Sequence, residues 1–71
     1  MNNATVTTKS ASELVEGDVI IVPQTNIRAE VLLFWPAMTA PETHLEVAAV
    51  GPRGGRFALR LELTEELTVL S

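Results

Sequence analysis

Counted in steps of two, the apolar residues of this chain fall into short alternating runs parted by turn residues, the pattern of a small antiparallel sheet. Arg56 to Leu63 shows it most plainly: Phe57, Leu59, Leu61 and Leu63 alternate with Arg56, Ala58, Arg60 and Glu62. Thr43 to Val50 precedes this run across Gly51-Pro52-Arg53-Gly54-Gly55, and the two runs predict a hairpin. Parity fixes its register, because only odd-to-odd pairing lets both arms bury one common face. A five-residue loop achieves this, setting Val47 opposite Leu59 and Leu45 opposite Leu61. It also opposes Glu46 to Arg60 and His44 to Glu62, whereas a three-residue loop brings Glu46 against Glu62.

Upstream, Val19-Ile20-Ile21-Val22 reads as a buried strand ended by Pro23. Ile27 to Trp35 is the longest strand. Its odd positions (Ile27, Ala29, Val31, Leu33, Trp35) are apolar throughout, while its even positions change from Arg28 and Glu30 to Leu32 and Phe34. Strict alternation therefore sends the odd set into the core and leaves Leu32 and Phe34 on the opposite face. A β-bulge near Leu32 is the alternative and turns part of the even set inward; Trp35 is either core, the preferred reading, or a central interface anchor. The connection from Pro36 to Glu42 carries Pro36 and Pro41 and is long for a hairpin. Before the first core strand, Ser10 and Glu13 have capping-box spacing, Leu14 is placed to plug the core, and Gly17 stops the turn. Thr64 to Leu67 predicts a tight turn and Thr68 to Leu70 a closing strand. Asn2 to Thr8 is open to pairing at an edge or to staying loose. The expectation is an all-β fold of five to six antiparallel strands with one short helical turn, curled into a small barrel that protects its edges.

Length and composition narrow this further. Seventy-one residues make a single domain, 1–71, with 1–9 as the segment that is loose or an edge strand. A chain this short buries only about 60% of its unfolded surface. A hydrophobic content of 46% excludes a disordered acidic tail. A net charge of −4 argues against general affinity for nucleic acid or an anionic membrane. Absence of cysteine removes disulfide, thiolate and cysteine–zinc chemistry. The start lacks the basic and apolar regions of an export signal, and the apolar stretch Val31–Met38 is broken by Pro36, so a cytoplasmic location without a membrane is expected.

The stretch Ala11-Ser12-Glu13-Leu14-Val15-Glu16-Gly17-Asp18-Val19-Ile20 resembles the entry motif of small β-barrel modules, among them SH3-like barrels and the β-rich cores of Hint-type domains. The whole layout also resembles short barrel proteins of actinobacteria and their phages. The resemblance implies an SH3-like barrel in which the Gly-Asp pair turns the chain into the first core strand. The Hint-type nucleophile and histidine block have no counterpart here, so the resemblance implies no self-splicing.

If odd residues fill the interior, Leu32, Phe34, Ala48, Val50 and Ala58 lie outside with Met38, forming an apolar area suited to a homo-oligomer or a larger protein partner. This makes a non-catalytic accessory, regulatory or inhibitory module the leading expectation. The alternative is nucleotide or nucleic-acid binding through Arg28, Arg53, Arg56 and Arg60 around the hairpin tip, which lacks the Lys-Ser/Thr of a P-loop. His44 between Glu42 and Glu46 has the spacing of one strand face, which local charge pairing explains better than a metal. Serines occur only at 10, 12 and 71, positions suited to caps and the terminus, so neither enzyme chemistry nor a cofactor is expected.

Overall fold

The computed structural model describes residues 6–70; the polar opening from Asn2 to Thr5 lies outside the described residues. Six antiparallel strands form one sheet: β1 (Val6–Ser10), β2 (Val19–Ile21), β3 (Arg28–Pro36), β4 (His44–Val50), β5 (Arg56–Glu62) and β6 (Glu66–Leu70). Their order is β1-β6-β2-β3-β4-β5. The sheet curls but does not close into the barrel expected from the sequence; β1 and β5 are its two edges. Among the described residues no helix is long and apolar enough to cross a membrane.

The β4–β5 hairpin has the register that charge and parity select. Val47 faces Leu59, Leu45 faces Leu61, Glu46 faces Arg60 and His44 faces Glu62. Gly51 N donates to Gly55 O at 2.8 Å across the tip, with Gly54 at φ 86°. A 3-10 turn, Ala11–Glu13, follows β1 and buries Ala11, while Leu14 plugs the core just beyond it. Ser10 and Glu13 form the expected capping box: Ser10 N donates to Glu13 Oε1 at 3.1 Å, and Ser10 Oγ sits beside Ser12 Oγ.

Strict alternation fails in β3. Val31 faces Ala49, but Leu33 faces Ala48, so Leu32 is one residue too many for its partner strand. This β-bulge inverts parity for the rest of the strand. Leu33 and Trp35, expected in the core, point outward at 48% and 36% exposure. Phe34, expected outside, takes the core-side register opposite Val47. Ile27, also counted as core, is exposed at the start of the strand.

The core is built from small and branched side chains. Ile20, Val31, Leu45, Val47, Leu61, Leu67 and Val69 gather around Ala11 and Leu14, and Val22, Ala29 and Ala49 form a second cluster joined to the first through Leu59. A polar clamp holds the entry to β2. Asp18 Oδ2 accepts from Val15 N and from Lys9 Nζ, both at 3.0 Å, while Gly17 N donates to Val31 O at 2.8 Å. Gly17 adopts φ 94°, which an L side chain resists.

Hydrogen bonds to a charged, half-buried group contribute about 1.5–3 kcal/mol, so Asp18→Ala is expected to cost about 2–3 kcal/mol in urea unfolding. Gly17→Ala meets no atom within 4 Å, and its cost comes from φ alone, about 1–2 kcal/mol. Gly55→Ala, with the same open space and no positive φ, stays within about 0.5 kcal/mol of the parent in the same experiment.

Candidate functional site

The inverted half of β3 and its exit loop carry the most exposed large apolar side chains near one another in sequence. Leu33 is 48%, Phe34 42% and Met38 93% exposed, with Trp35 beside them. The register separates them into two surfaces. Leu33 lies level with Ala48 and Ala58 on the outer face of β3-β4-β5, and the next row is Trp35, Glu46 and Arg60. On the other side of Leu33 comes the row Glu30, Val50 and Arg56. Two alanines beside a leucine make this outer face low and smooth at its centre.

Phe34 lies on the other surface. With Trp35, Pro36, Pro41, Leu45, Leu63 and Ala11 it lines a hollow of about 280 Å³ at the open end of the core, so Trp35 borders both surfaces. Its partial exposure reflects a core face that runs out of covering residues, since only the 3-10 turn and the Leu63–Glu65 link close that end. Ala11 N donates to Glu65 O at 2.8 Å and Ser12 N to Leu63 O at 3.0 Å.

Of the residues expected to form a partner surface, Ala48, Val50 and Ala58 share the outer face, the first two half-buried. Leu32 is the half-buried bulge residue, Phe34 is turned to the hollow, and Met38 stands out on the exit loop. Parity counting missed Leu33 and Trp35. The signal for them was the stretch 31–35, apolar at odd and even positions alike, which a strand can accommodate only by changing which face is buried.

Two polar contacts order the outer surface. Trp35 Nε1 donates to Glu46 Oε1 at 2.8 Å, holding the indole along the sheet. Arg60 Nη2 donates to Thr39 O at 3.0 Å and ties down the exit loop. In that loop Ala40 adopts φ 58°, and its carbonyl accepts from Thr43 N and His44 N. His44 Nδ1 lies 2.7 Å from Thr43 Oγ1 and its Nε2 is 4.0 Å from Glu62 Oε2. Glu46 is engaged by Trp35 and Glu42 precedes the strand, so the 42-44-46 spacing does not gather ligands; no metal-ligand group occurs among the described residues.

The four arginines do not form one patch. Arg28, at the start of β3, and Arg53 and Arg56 belong to the hairpin-tip end, while Arg60 lies four positions beyond Arg56, about 14 Å along the strand. Among the described residues no arginine has a carboxylate oxygen within 4.0 Å. No family model, curated protein or solved structure matches the chain.

Trp35 is the sole tryptophan, so its fluorescence reports directly on this surface. Glu46→Ala is expected to red-shift the emission and lower its anisotropy as the indole loses its anchor. Stability in urea should change by no more than about 1 kcal/mol, the usual worth of an exposed hydrogen bond.

Proposed function

We propose that this chain is a non-catalytic protein-binding module, a small accessory or regulatory protein whose contact surface is the outer face of β3-β4-β5 with the loop behind it. The observation that carries the reading is the outward turn of Leu33 and Trp35, two residues apart on one sheet face, just before the exposed Met38 in the chain. Single exposed apolar residues are ordinary, but a contiguous set on a smooth sheet face marks an interaction surface. Interface anchors are commonly aromatic and bordered by small or polar residues, and Trp35, in the row of Glu46 and Arg60 next to Leu33, Ala48 and Ala58, fits that description.

The proposed fold type is SH3-like. The meander β2-β3-β4-β5, the return of β6 beside β2 and the 3-10 turn beneath the core support it, with the seam at β5 left open. Self-association is the first form of contact to examine. A domain of this size gains from covering Leu33 and Met38, each fully buried apolar side chain contributing about 1.5–3 kcal/mol.

Light scattering on the parent protein should give a multiple of 7.7 kDa, and Leu33→Glu should return the mass to 7.7 kDa. Since Leu33 is outside the core, Leu33→Glu should leave the unfolding midpoint of the monomer nearly unchanged. A parent that remains at 7.7 kDa at about 1 mM, where even a 4 kcal/mol association registers, overturns self-association. A Leu33→Glu chain that unfolds overturns the placement of the surface.

A further inference from the structure

The free edge of β5 is a second surface, made of backbone where the first is made of side chains. The bonds Gly51 N to Gly55 O and Leu63 N to Thr43 O, both 2.8 Å, bracket the β4–β5 ladder and fix its phase. Antiparallel bonds alternate, so Phe57, Leu59 and Leu61 direct their N–H and C=O groups to β4. Arg56, Ala58 and Arg60 direct theirs away from it. Among the described residues none of these three has a backbone partner on that side, whereas the carbonyl of Glu62 accepts from Glu65 N at 3.0 Å.

Exposed edges are usually blunted by proline, a bulge, lysine or a covering segment. The β5 edge has no proline and no register shift over its seven pairs with β4. The other edge, β1, is likewise closed at one end, where Glu13 Oε1 accepts from Ser10 N, but it carries the lysine, Lys9. Beside β5 the curled sheet leaves a cleft of about 250 Å³, with Val22, Pro23 and Gln24 on one wall and Leu59 to Leu61 on the other. Glu65 is the acid that lines this cleft, at its Leu61 side.

We infer that the β5 edge takes up an extended acidic segment of a partner protein as an added strand. Charge chooses this occupant. Arg56 and Arg60 flank Ala58 on the outer face with no carboxylate within 4.0 Å among the described residues, and Arg60 has guanidinium donors to spare beside the Nη2 that bonds Thr39 O. On the inner side Phe57 and Leu59 are half-buried. An antiparallel strand laid along residues 56–60 places its own side chains opposite these in turn. The recognised pattern is therefore acid, apolar, any residue, apolar, acid, with main-chain bonds supplying affinity and the arginines supplying choice. The added strand bonds to the backbone edge of β5, while Ala58 and Arg60 border both this edge and the apolar face around Leu33.

The probe is a fluorescein-labelled Ser-Glu-Val-Thr-Val-Glu-Ser peptide, titrated with the intact protein and read by anisotropy and by amide hydrogen exchange. Binding should saturate and slow exchange at Arg56, Ala58 and Arg60. The central Thr faces Ala58, so methylating its backbone nitrogen should abolish binding, while methylating both Val nitrogens, which face away, should leave it intact. Ala58→Pro removes an edge N–H without touching the β4 ladder and should eliminate binding. Arg56→Glu with Arg60→Glu, which leaves the backbone unaltered, should weaken binding by at least about tenfold, or about 1.4 kcal/mol. The inference is overturned by absence of saturable binding or by equal affinity for the Thr-methylated peptide. It is also overturned by unprotected amides at 56, 58 and 60, or by tighter binding of an oligodeoxythymidylate, which would assign the arginines to nucleic acid.

Discussion

One extra residue in β3 decides what this protein shows to its surroundings. With Leu32 inserted between the Val31–Ala49 and Leu33–Ala48 pairs, the strand serves two faces in succession. Its first half buries Ala29 and Val31 and exposes Arg28 and Glu30. Its second half turns Phe34 and Pro36 to the core side and Leu33 and Trp35 outward. A bulge also sharpens local twist, which suits a long strand that must belong to both halves of a curled sheet. Removing the bulge would put Trp35 inside, where every wholly buried side chain is Ile20 or Val31-sized or smaller. The outer apolar face and the narrow core are consequences of the same insertion.

The parts governed by local chemistry were legible in the sequence. Hairpin register followed from charge pairing and parity, because a slip of two residues would oppose Glu46 to Glu62 while a slip of one would turn one arm inside out. Gly17 and Leu14 were legible for similar reasons: a turn needing positive φ leaves glycine, and an isolated leucine between polar residues has one place to go. The face of Leu33, Phe34 and Trp35 was not. Residues 31–35 are apolar at every position, so periodicity carries no information about facing there, and the partner strand settles it through Ala48 and Ala49. Closure was also beyond local reading, since it depends on whether β5 meets a strand across the seam, a contact between residues far apart in sequence. The arginine residues could be named as a group but not placed, because spacing on the chain does not reveal that Arg60 is occupied by Thr39.

The two edges of the sheet are unlike for a physical reason. β1 runs directly into the 3-10 turn, so Glu13 is available to return and accept the edge amide of Ser10. Lys9, the one lysine, lies in β1 but directs its ammonium to Asp18, where it steadies the turn into β2. β5 is closed at its Glu62 end, where Glu65 N donates to the Glu62 carbonyl, but the other bonds of the Leu63–Glu65 link go to the 3-10 turn and to Thr43 and leave Arg56, Ala58 and Arg60 uncovered. Charge follows the same division. The acids at 13, 18, 46 and 62 have polar partners or lie within reach of one, while Arg56 faces Val50 with nothing to neutralise it.

A domain with a thin margin would be expected to put its largest apolar groups where they exclude most water. This one does the reverse. Its buried set contains four alanines and no aromatic residue, while Met38 is left outside and Phe34, Trp35 and Phe57 are only partly covered. Transfer of these side chains from water is favourable in any fold that can house them, so leaving them out lowers the stability of the isolated monomer. The hydrogen bonds from Trp35 to Glu46 and from Arg60 to Thr39 hold the indole and the exit loop in place without covering them. Ordering an exposed side chain costs rotamer entropy that an unliganded surface does not recover. Such pre-ordering lowers the cost of subsequent association, and that is the physical ground for regarding the outer face of β3-β4-β5 as a contact surface, beyond its exposure alone.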